Sequence, residues 1–207
     1  MNIFHRVFTK VKNTYKKFYY RSKFKKFGDN SYIIQPLVIR GHKNIIIEDN
    51  VIIAHQVWLN ATTINDNPCI LKIGAGCNIG HYNHISATGE VIFEEEVLTA
   101  DKVYISDHLH AYEDISVSIL KQPILQKNFV RIGKGSWIGE NVCIIGSSIG
   151  KHCIIGANAV VTKNIGDYCV AAGNPAKIIK KYCSETQTWR RTFPDGIFID
   201  NNGLGKK

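Results

Sequence analysis

The residues best suited to chemistry are two histidines separated by one position, in the segment VYISDHLHAYED (residues 103–114). Asp107 stands directly before His108, and His110 follows after one leucine. An imidazole titrates near neutral pH, so such a histidine can act as a general base or, when neutral, bind a metal ion. On an extended backbone residues i and i+2 point the same way, so spacing does not distinguish His108 from His110. These residues alone therefore indicate a metal site, a catalytic base with an orienting carboxylate, or a solvated polar loop.

The cysteines offer no competing chemistry. The six of them show no CxxC pair and no metal-ligand spacing. The chain contains no run of about 18 apolar residues that would cross a membrane, and lysines interrupt its N-terminal apolar stretches, which argues against a secretory signal. We therefore expect a cytoplasmic protein whose reduced thiols are buried as small apolar side chains.

A six-residue repeat runs through most of the chain and must position the two histidines. In RIGKGSWIGENVCIIGSSIGKHCIIGANAVVTK (residues 131–163), branched apolar residues recur at spacings of 6, 6, 5, 6 and 6, and glycine follows four of them. These apolar residues are Ile132, Ile138, Ile144, Ile149, Ile155 and Val161. Earlier runs with the same spacing begin at Ile47, Ile73 and Val91.

This period fits neither a helix nor a hairpin meander, and it predicts a parallel β-helix whose short strands turn a corner after each repeat. Three sides of six residues give about 18 residues per coil, so residues 30–175 would form about seven to eight coils. Glycine is expected at corners where a Cβ would clash or φ is positive. Residues 60–71 and 107–130 interrupt the repeat. The longer interruption is typical of a functional loop, and it begins at the two histidines.

The N-terminal segment carries the excess charge. Residues 1–27 contain nine Lys or Arg and no acidic residue, whereas the rest of the chain holds 17 basic and 17 acidic residues, for a net charge of +9. Apolar residues recur in this segment at near-helical spacing, which predicts a basic amphipathic helix over residues 1–27. Such a helix either meets an anionic membrane surface or packs on the body of the protein or on a neighbouring subunit. Nucleic acid is not an expected partner, because the rest of the chain offers no basic face.

The repeat region resembles the hexapeptide-repeat acyltransferases. The most specific motifs are WIG (residues 137–139), IGANAVVTK (residues 155–163) and AGNPAKII (residues 172–179). The resemblance implies an all-β, left-handed parallel β-helix over residues 28–183, followed by an irregular tail over residues 184–207. It also implies a homotrimer with active sites between subunits. Within the family, the chain is similar to the sugar O-acetyltransferases that modify capsule, exopolysaccharide or lipopolysaccharide units.

Members of this family keep a histidine as general base in the loop that interrupts the coils. That position matches His108 here, with His110 as the alternate. The resemblance implies direct transfer from acetyl-CoA, in which the neutral imidazole takes the proton of an acceptor hydroxyl and later protonates the leaving thiolate. It implies no metal, and it carries acetyl-CoA binding to six positions, where the lysines suit phosphates as mobile point charges. These positions are Gly139, Ala157, Thr162, Lys163, Lys177 and Lys180.

The predicted contacts with the acceptor sugar are Asn83, His84 and Asp107. Residues 81–84 (HYNH) group polar and aromatic side chains in an otherwise ordinary coil, where they can bind sugar hydroxyls or line a trimer interface. Three other functions remain open. They are an N-acetyltransferase of an amino sugar, a non-catalytic scaffold, and a metalloenzyme of the carbonic-anhydrase type on the same fold. The metalloenzyme would gather three of the histidines at 81, 84, 108 and 110 on zinc.

Overall fold

Short parallel strands wind into a three-sided β-helix in the computed structural model, which describes residues 18–64 and 67–199 and the strand at 205–206. Each coil contributes one strand to each of three sheets. Within a sheet, each strand pairs in parallel with the strands of the neighbouring coils. Inward side chains therefore stack along the axis, and each sheet presents one outer surface.

The three sheets are built from consecutive sides of the coils. Sheet 1 contains β1 (Lys26–Phe27), β4 (Ile45–Ile47), β7 (Ile70–Ile73), β10 (Glu90–Phe93) and β15 (Val130–Ile132). Sheet 2 contains β2 (Tyr32–Ile33), β5 (Ile52–Ile53), β8 (Asn78–Ile79), β11 (Leu98–Thr99), β16 (Trp137–Ile138), β18 (Ile154–Ile155), β20 (Cys169–Ala172), β21 (Lys177–Cys183) and β22 (Thr188–Arg191). Sheet 3 contains β3 (Val38–Arg40), β6 (Trp58–Ala61), β9 (His84–Ala87), β12 (Tyr104–Ser106), β17 (Cys143–Ile145) and β19 (Val160–Val161).

These strands form six coils and the beginning of a seventh. Sheet 1 continues beyond β15 as single bridges through Ile149 and Ile165. The six branched residues of the clearest repeat are all buried, with at most 2% of each exposed, which confirms the predicted repeat and fold class. The coil count falls just below the predicted seven to eight, because the loop over residues 107–129 takes up more than a coil's length without adding one.

Glycines of the repeat are required by close approach between coils and not by their φ angles. A Cβ on Gly74 would lie 2.5 Å from the carbonyl oxygen of Glu94, and one on Gly139 would lie 2.7 Å from the nitrogen of Ala157. Left-handed φ angles occur mainly at other corner positions, such as Asn158 at 61°. Of the two reasons expected for corner glycines, steric exclusion by the next coil therefore applies to these two.

The N-terminal end of the core is closed by aromatic residues. Residues 18–23 are helical, but the helix does not continue to residue 27 as predicted, because Phe24 and Phe27 turn into the core and β1 pairs with β4. The rings of Tyr20, Phe24 and Phe27 have centroids 5.3–5.6 Å apart. Residues 1–17 of the predicted amphipathic helix lie outside the described residues.

The C-terminal region forms strands where the sequence predicted an irregular tail. β21 turns back antiparallel on β20, and β22 pairs with β21. A further antiparallel pair joins β23 (Phe198–Ile199) to β24 (Gly205–Lys206). β21 covers the edge of β20 that the last coil would otherwise expose. Among the described residues, no helix is long and apolar enough to span a bilayer.

The long loop leaves the β-helix where sheet 3 passes to sheet 1. It contains an antiparallel hairpin of β13 (His108–His110) and β14 (Ile124–Gln126), with a 3-10 turn at Ile119–Lys121. We call the turns that join sheet 3 to sheet 1 edge 3–1, and the turns that join sheet 2 to sheet 3 edge 2–3. Edge 3–1 comprises residues 41–44, 62–64, 67–69, 88–89, 107–129, 146–148 and 162–164. Edge 2–3 comprises residues 34–37, 54–57, 80–83, 100–103, 139–142 and 156–159.

Candidate active site

A fully buried carboxylate anchors the start of the loop. Asp107, the first residue after β12, accepts hydrogen bonds from the backbone N–H groups of Thr88 (2.9 Å) and Gly89 (2.7 Å), in the turn one coil earlier. The side-chain amide of Gln126, in β14, donates to the same carboxylate at 3.2 Å. A buried carboxylate is tolerated only when it is hydrogen-bonded in this way. The three donors therefore hold the carboxylate at one position on edge 3–1.

His108 takes its orientation from that carboxylate. Its Nδ1 lies 2.9 Å from Asp107 Oδ1, and 14% of its side chain is exposed. Burial acts to raise the pKa of Asp107, but hydrogen bonds from His108 and from the Thr88–Gly89 turn outweigh it and hold that pKa at about 2. Because an ionised carboxylate can only accept, we assign the imidazole proton to Nδ1, which leaves the lone pair on Nε2. A general base needs this protonation pattern.

His110 lacks this arrangement. Its ring is exposed, and its backbone pairs with Ile124 across the hairpin. Within the described part of the chain, its ring makes no hydrogen bond or ion pair. The structure thus distinguishes the two histidines that their spacing could not separate, since only His108 has a carboxylate to fix its tautomer.

A column of aromatic rings lies on the outer surface of sheet 3. The rings of Trp58 and His84 stack with centroids 4.4 Å apart, and His84 meets Tyr104 edge-on at 5.2 Å. Parallel register places these residues side by side on β6, β9 and β12. Burial lowers the pKa of His84, and the nearby His108 lowers it further. His84 is therefore a neutral ring close to the candidate base.

Two of the three predicted acceptor contacts are closed off from solvent. Asn83 is 1% exposed, its amide donates to Thr99 Oγ1 at 2.6 Å, and its oxygen accepts from the backbone N–H of Val103 at 2.5 Å. Asp107 is fully buried and bonded as described above. The structure does not support direct contact of either residue with a sugar, because their polar groups are already hydrogen-bonded to groups in neighbouring turns. Of the three, only His84 has a partly exposed ring.

The histidines of the metal hypothesis do not converge. His81 stacks on His55 at edge 2–3, with ring centroids 5.3 Å apart, and His84 stacks on Trp58 on sheet 3. Among the described residues, no three His, Cys, Asp or Glu side chains are grouped so that they could hold a metal ion. The rings of His81 and His84 instead each stack on an aromatic neighbour.

The residues predicted to bind acetyl-CoA lie along two different edges. Thr162 and Lys163 are exposed on edge 3–1. Parallel register places Thr162 two strands from Ser106, which is about 10 Å at the usual strand spacing. Gly139 and Ala157 lie next to one another on edge 2–3, where Ala157 is exposed.

The two remaining lysines lie on β21. Lys177 pairs with Ala172 and Lys180 pairs with Val170, and both lysines are exposed. Lys177 thus stands where sheet 2 ends, next to edge 2–3, whereas Lys180 lies on sheet 2. Within a single chain, Thr162 and Lys163 therefore lie on the same edge as His108. The other four residues predicted to bind acetyl-CoA do not lie on that edge.

Comparison with known proteins supports a transferase fold. Residues 129–163 match the family described as bacterial transferase hexapeptide (six repeats). The chain is 38% identical to a putative lipopolysaccharide biosynthesis O-acetyl transferase of Escherichia coli, over 55% of this chain and 61% of that protein. It is 39% identical to a probable acetyltransferase of Mycobacterium tuberculosis, over 57% of this chain and 39% of that protein. These matches support a hexapeptide-repeat acetyltransferase family for this chain.

This hexapeptide-repeat protein spans less than two thirds of the length of those two relatives. Its structure is similar to that of an N-acyltransferase from Bacillus cereus solved with dTDP and 3-hydroxybutyryl-CoA. The TM-score is 0.68 at 18% identity, over 83% of this chain and 90% of that chain. The likeness supports the left-handed parallel β-helix expected from the sequence motifs.

Sequence reasoning missed several residues around the candidate base of this hexapeptide-repeat protein. Trp58 and Tyr104 occupy outward positions of the six-residue repeat, and aligning their coils would have placed them beside His84. Thr88 and Gln126 gave no such signal. Thr88 acts mainly through its backbone, and Gln126 lies in the loop where the repeat is lost.

Proposed function

We propose that the protein transfers an acetyl group from acetyl-CoA to a hydroxyl of a sugar unit of a capsule, an exopolysaccharide or a lipopolysaccharide. The observation that carries this proposal is the buried Asp107 carboxylate bonded to Nδ1 of His108, at the edge that also carries Thr162 and Lys163. The similarity to the putative O-acetyl transferase of Escherichia coli supports the O-acetyl assignment, and the acyl-CoA bound to the Bacillus cereus neighbour supports the donor.

In the proposed reaction, Nε2 of His108 takes the proton of the acceptor hydroxyl while the hydroxyl oxygen bonds to the thioester carbonyl carbon. The C–S bond then breaks, and the imidazolium returns its proton to the CoA thiolate. The ionised Asp107 stabilises the imidazolium between these two steps. Burial raises the pKa values of Cys69, Cys77 and Cys153 to about 11, which disfavours a thiolate nucleophile at these three positions.

Two subunits of a homotrimer would share each site under this proposal. Thr162 and Lys163 lie on edge 3–1 of a chain, whereas Gly139, Ala157 and Lys177 lie on or next to edge 2–3. An acyl-CoA placed between edge 3–1 of one subunit and edge 2–3 of the next would contact both groups. Light scattering coupled to gel filtration measures the assembly. A monomer with full transferase activity would contradict the shared site.

Calorimetry and an acceptor screen test the proposed activity. Acetyl-CoA should bind the wild-type protein, and Lys163→Ala should weaken binding because a phosphate-binding charge is lost. Release of free CoA thiol is then followed with neutral hexoses, N-acetylhexosamines and amino sugars, each with and without enzyme. The proposal fails if acetyl-CoA does not bind, or if no sugar raises thiol release above the rate measured without a sugar.

An amino sugar is the second candidate acceptor, favoured by the likeness to the Bacillus cereus N-acyltransferase. The same Nε2 would accept the proton that an attacking amine loses. The two products differ in chemistry, because hydroxylamine cleaves an acetyl ester and leaves an acetamide intact. Mass spectrometry of the product before and after hydroxylamine treatment therefore decides between the two acceptors.

Residues 1–27 would place this cytoplasmic enzyme at the inner face of the cell membrane. The segment holds nine Lys or Arg and no acidic residue, and Phe18, within its described part, is 75% exposed. Deleting residues 1–17 should abolish binding to vesicles that contain anionic lipid while the fold is retained, because Tyr20 and Phe24 remain to close the core. Unchanged vesicle binding by the deletion variant would contradict this role.

A further inference from the structure

Arg40 carries a positive charge on sheet 3, the sheet whose strand β12 leads to His108. It is the last residue of β3, it is exposed, and its guanidinium carbon lies 5.5 Å from the centre of the Trp58 ring. Among the described residues, no carboxylate forms an ion pair with it. The six strands of sheet 3 contain no acidic residue, and Arg40 is their only Lys or Arg.

A continuous row of residues connects this cation to the candidate base. Arg40, Asn60, Ser86 and Ser106 occupy equivalent positions on β3, β6, β9 and β12. Three strand spacings separate the ends of the row, which is roughly 14 Å between the backbones of Arg40 and Ser106. The Ser106 hydroxyl donates to the carbonyl oxygen of His108 at 2.8 Å, so the row ends at the base.

The surface between the two ends suits a sugar ring. Trp58 and His84 stack one above the other beside this row, and both are partly exposed. Aromatic rings pack against the apolar C–H groups of a pyranose. The Asn60 amide donates to Ser86 Oγ at 2.9 Å and its oxygen accepts from Thr62 Oγ1 at 2.7 Å, which leaves its second amide hydrogen for a sugar hydroxyl. A ligand that follows this surface away from His108 reaches the guanidinium of Arg40 at the far end.

We propose that Arg40 binds a phosphate of the acceptor, and that the acceptor is therefore a glycosyl phosphate or glycosyl diphosphate whose hydroxyl lies at His108. This inference rests on the proposed function and specifies its substrate class. A guanidinium matches the geometry of phosphate oxygens and stays charged at any physiological pH. The gap along the row favours phosphate over a carboxylate on the reacting ring, because such a carboxylate lies closer to the ring hydroxyls. A phosphate on the anomeric carbon instead extends beyond the ring.

Binding of inorganic pyrophosphate and of UDP tests the anion site directly. The titrations are made with saturating CoA present, so that the lysines proposed to bind its phosphates are already occupied. Both probes should bind the wild-type protein, and Arg40→Met should weaken binding at least tenfold, with Arg40→Lys between them. Methionine retains a long apolar side chain against Trp58 and removes only the charge. Equal affinity of Arg40→Met and wild type, or no binding of either probe, would overturn the proposal.

Lys43→Met is the matched control. Lys43 is exposed in the 3-10 turn at His42–Asn44, which follows β3. Lys43→Met therefore removes one positive charge, as Arg40→Met does, at a nearby position. Its affinity for the probes should stay within twofold of wild type. An equal loss in Lys43→Met and Arg40→Met would show a diffuse charge effect, and the proposed site would be wrong.

A paired acceptor screen separates this inference from the proposed function. Each sugar is offered as its methyl glycoside and as its glycosyl 1-phosphate, with free CoA thiol as the readout. We expect higher kcat/KM for the phosphate, and Arg40→Met should raise KM for the phosphate at least tenfold while KM for the glycoside is unchanged. Acetyl transfer to glycosides and phosphates with equal kcat/KM would reject the inference and leave the proposed function standing. Absence of acetyl-CoA binding would reject the proposed function itself.

Discussion

Two buried polar clusters occupy neighbouring edges of the β-helix, and they differ in whether they connect to a solvent-accessible side chain. On edge 2–3, the side chain of Asn83 bonds to Thr99 Oγ1 and to the backbone N–H of Val103, both in the next coil, and the cluster ends there. On edge 3–1, Asp107 bonds to the Thr88–Gly89 turn but also to the imidazole of His108, which is partly exposed. Both clusters satisfy groups that would be costly to bury alone. Only the second connects a buried charge to a side chain that a substrate can reach.

Replacing His108 by alanine should have the largest effect on activity. Among the described residues, the variant loses the only base whose tautomer is fixed by a buried carboxylate, so kcat for acetyl transfer should fall about 10³-fold. Thiol release under saturating acetyl-CoA measures it, and the dissociation constant for acetyl-CoA should stay within about twofold as the control. A loss below about tenfold would remove His108 from the role of base.

Replacing Asp107 by asparagine should have the next largest effect. The amide no longer stabilises the imidazolium and can hold the wrong tautomer, so kcat should fall about 10²-fold and the pH profile of kcat should change. Thr88→Val is the matched control, since it removes the hydroxyl that lies 3.1 Å from the carboxylate and 2.8 Å from Gln126 Oε1, and it leaves the charge of Asp107 in place. A pH profile identical to wild type would mean that Asp107 only supports the fold.

The same carboxylate should make stability sensitive to acid. Its pKa is about 2 in the folded protein against 3.8 for an unperturbed aspartate, a difference that corresponds to roughly 2 kcal/mol. A lowered folded-state pKa stabilises the protein above the unfolded-state pKa, and this contribution is lost as pH falls from about 5 towards 2. The free energy of unfolding, measured with urea, should therefore change less between pH 6 and pH 3 for Asp107→Asn than for wild type. An equal difference would contradict the low pKa.

The six-residue repeat predicted the coils because an inward residue such as Ile144 must be apolar whatever its neighbours are. The same repeat could not place Asn83, because a polar residue at a corner satisfies the pattern whether it faces solvent or bonds inside the coil. His108 could be identified by resemblance, but its bond to Asp107 depends on Gln126, which approaches from a loop without periodicity. Local spacing therefore specified the fold, whereas the site also depends on contacts between coils.

Asn83→Ala should reduce stability and leave catalysis almost unchanged. The substitution leaves the backbone N–H of Val103 buried without its acceptor, which should lower the free energy of unfolding by about 1–3 kcal/mol. Urea denaturation measures that loss, and kcat of the folded variant should stay within about twofold of wild type. If kcat instead falls as far as in Asp107→Asn, the cluster on edge 2–3 is not closed, and the contrast between the edges fails.

Replacing His110 by alanine should have the smallest effect. Its ring is exposed on the same strand as His108, but no carboxylate of the described residues holds a proton on its Nδ1. In solvent its two tautomers exchange freely, so it offers no oriented base, and kcat should remain within about twofold of wild type. The kcat values of both alanine variants are compared in the same thiol-release assay. If His110→Ala loses about 10²-fold or more while His108→Ala stays active, the imidazole bound to Asp107 is a structural element of the loop, and the exposed ring is the base.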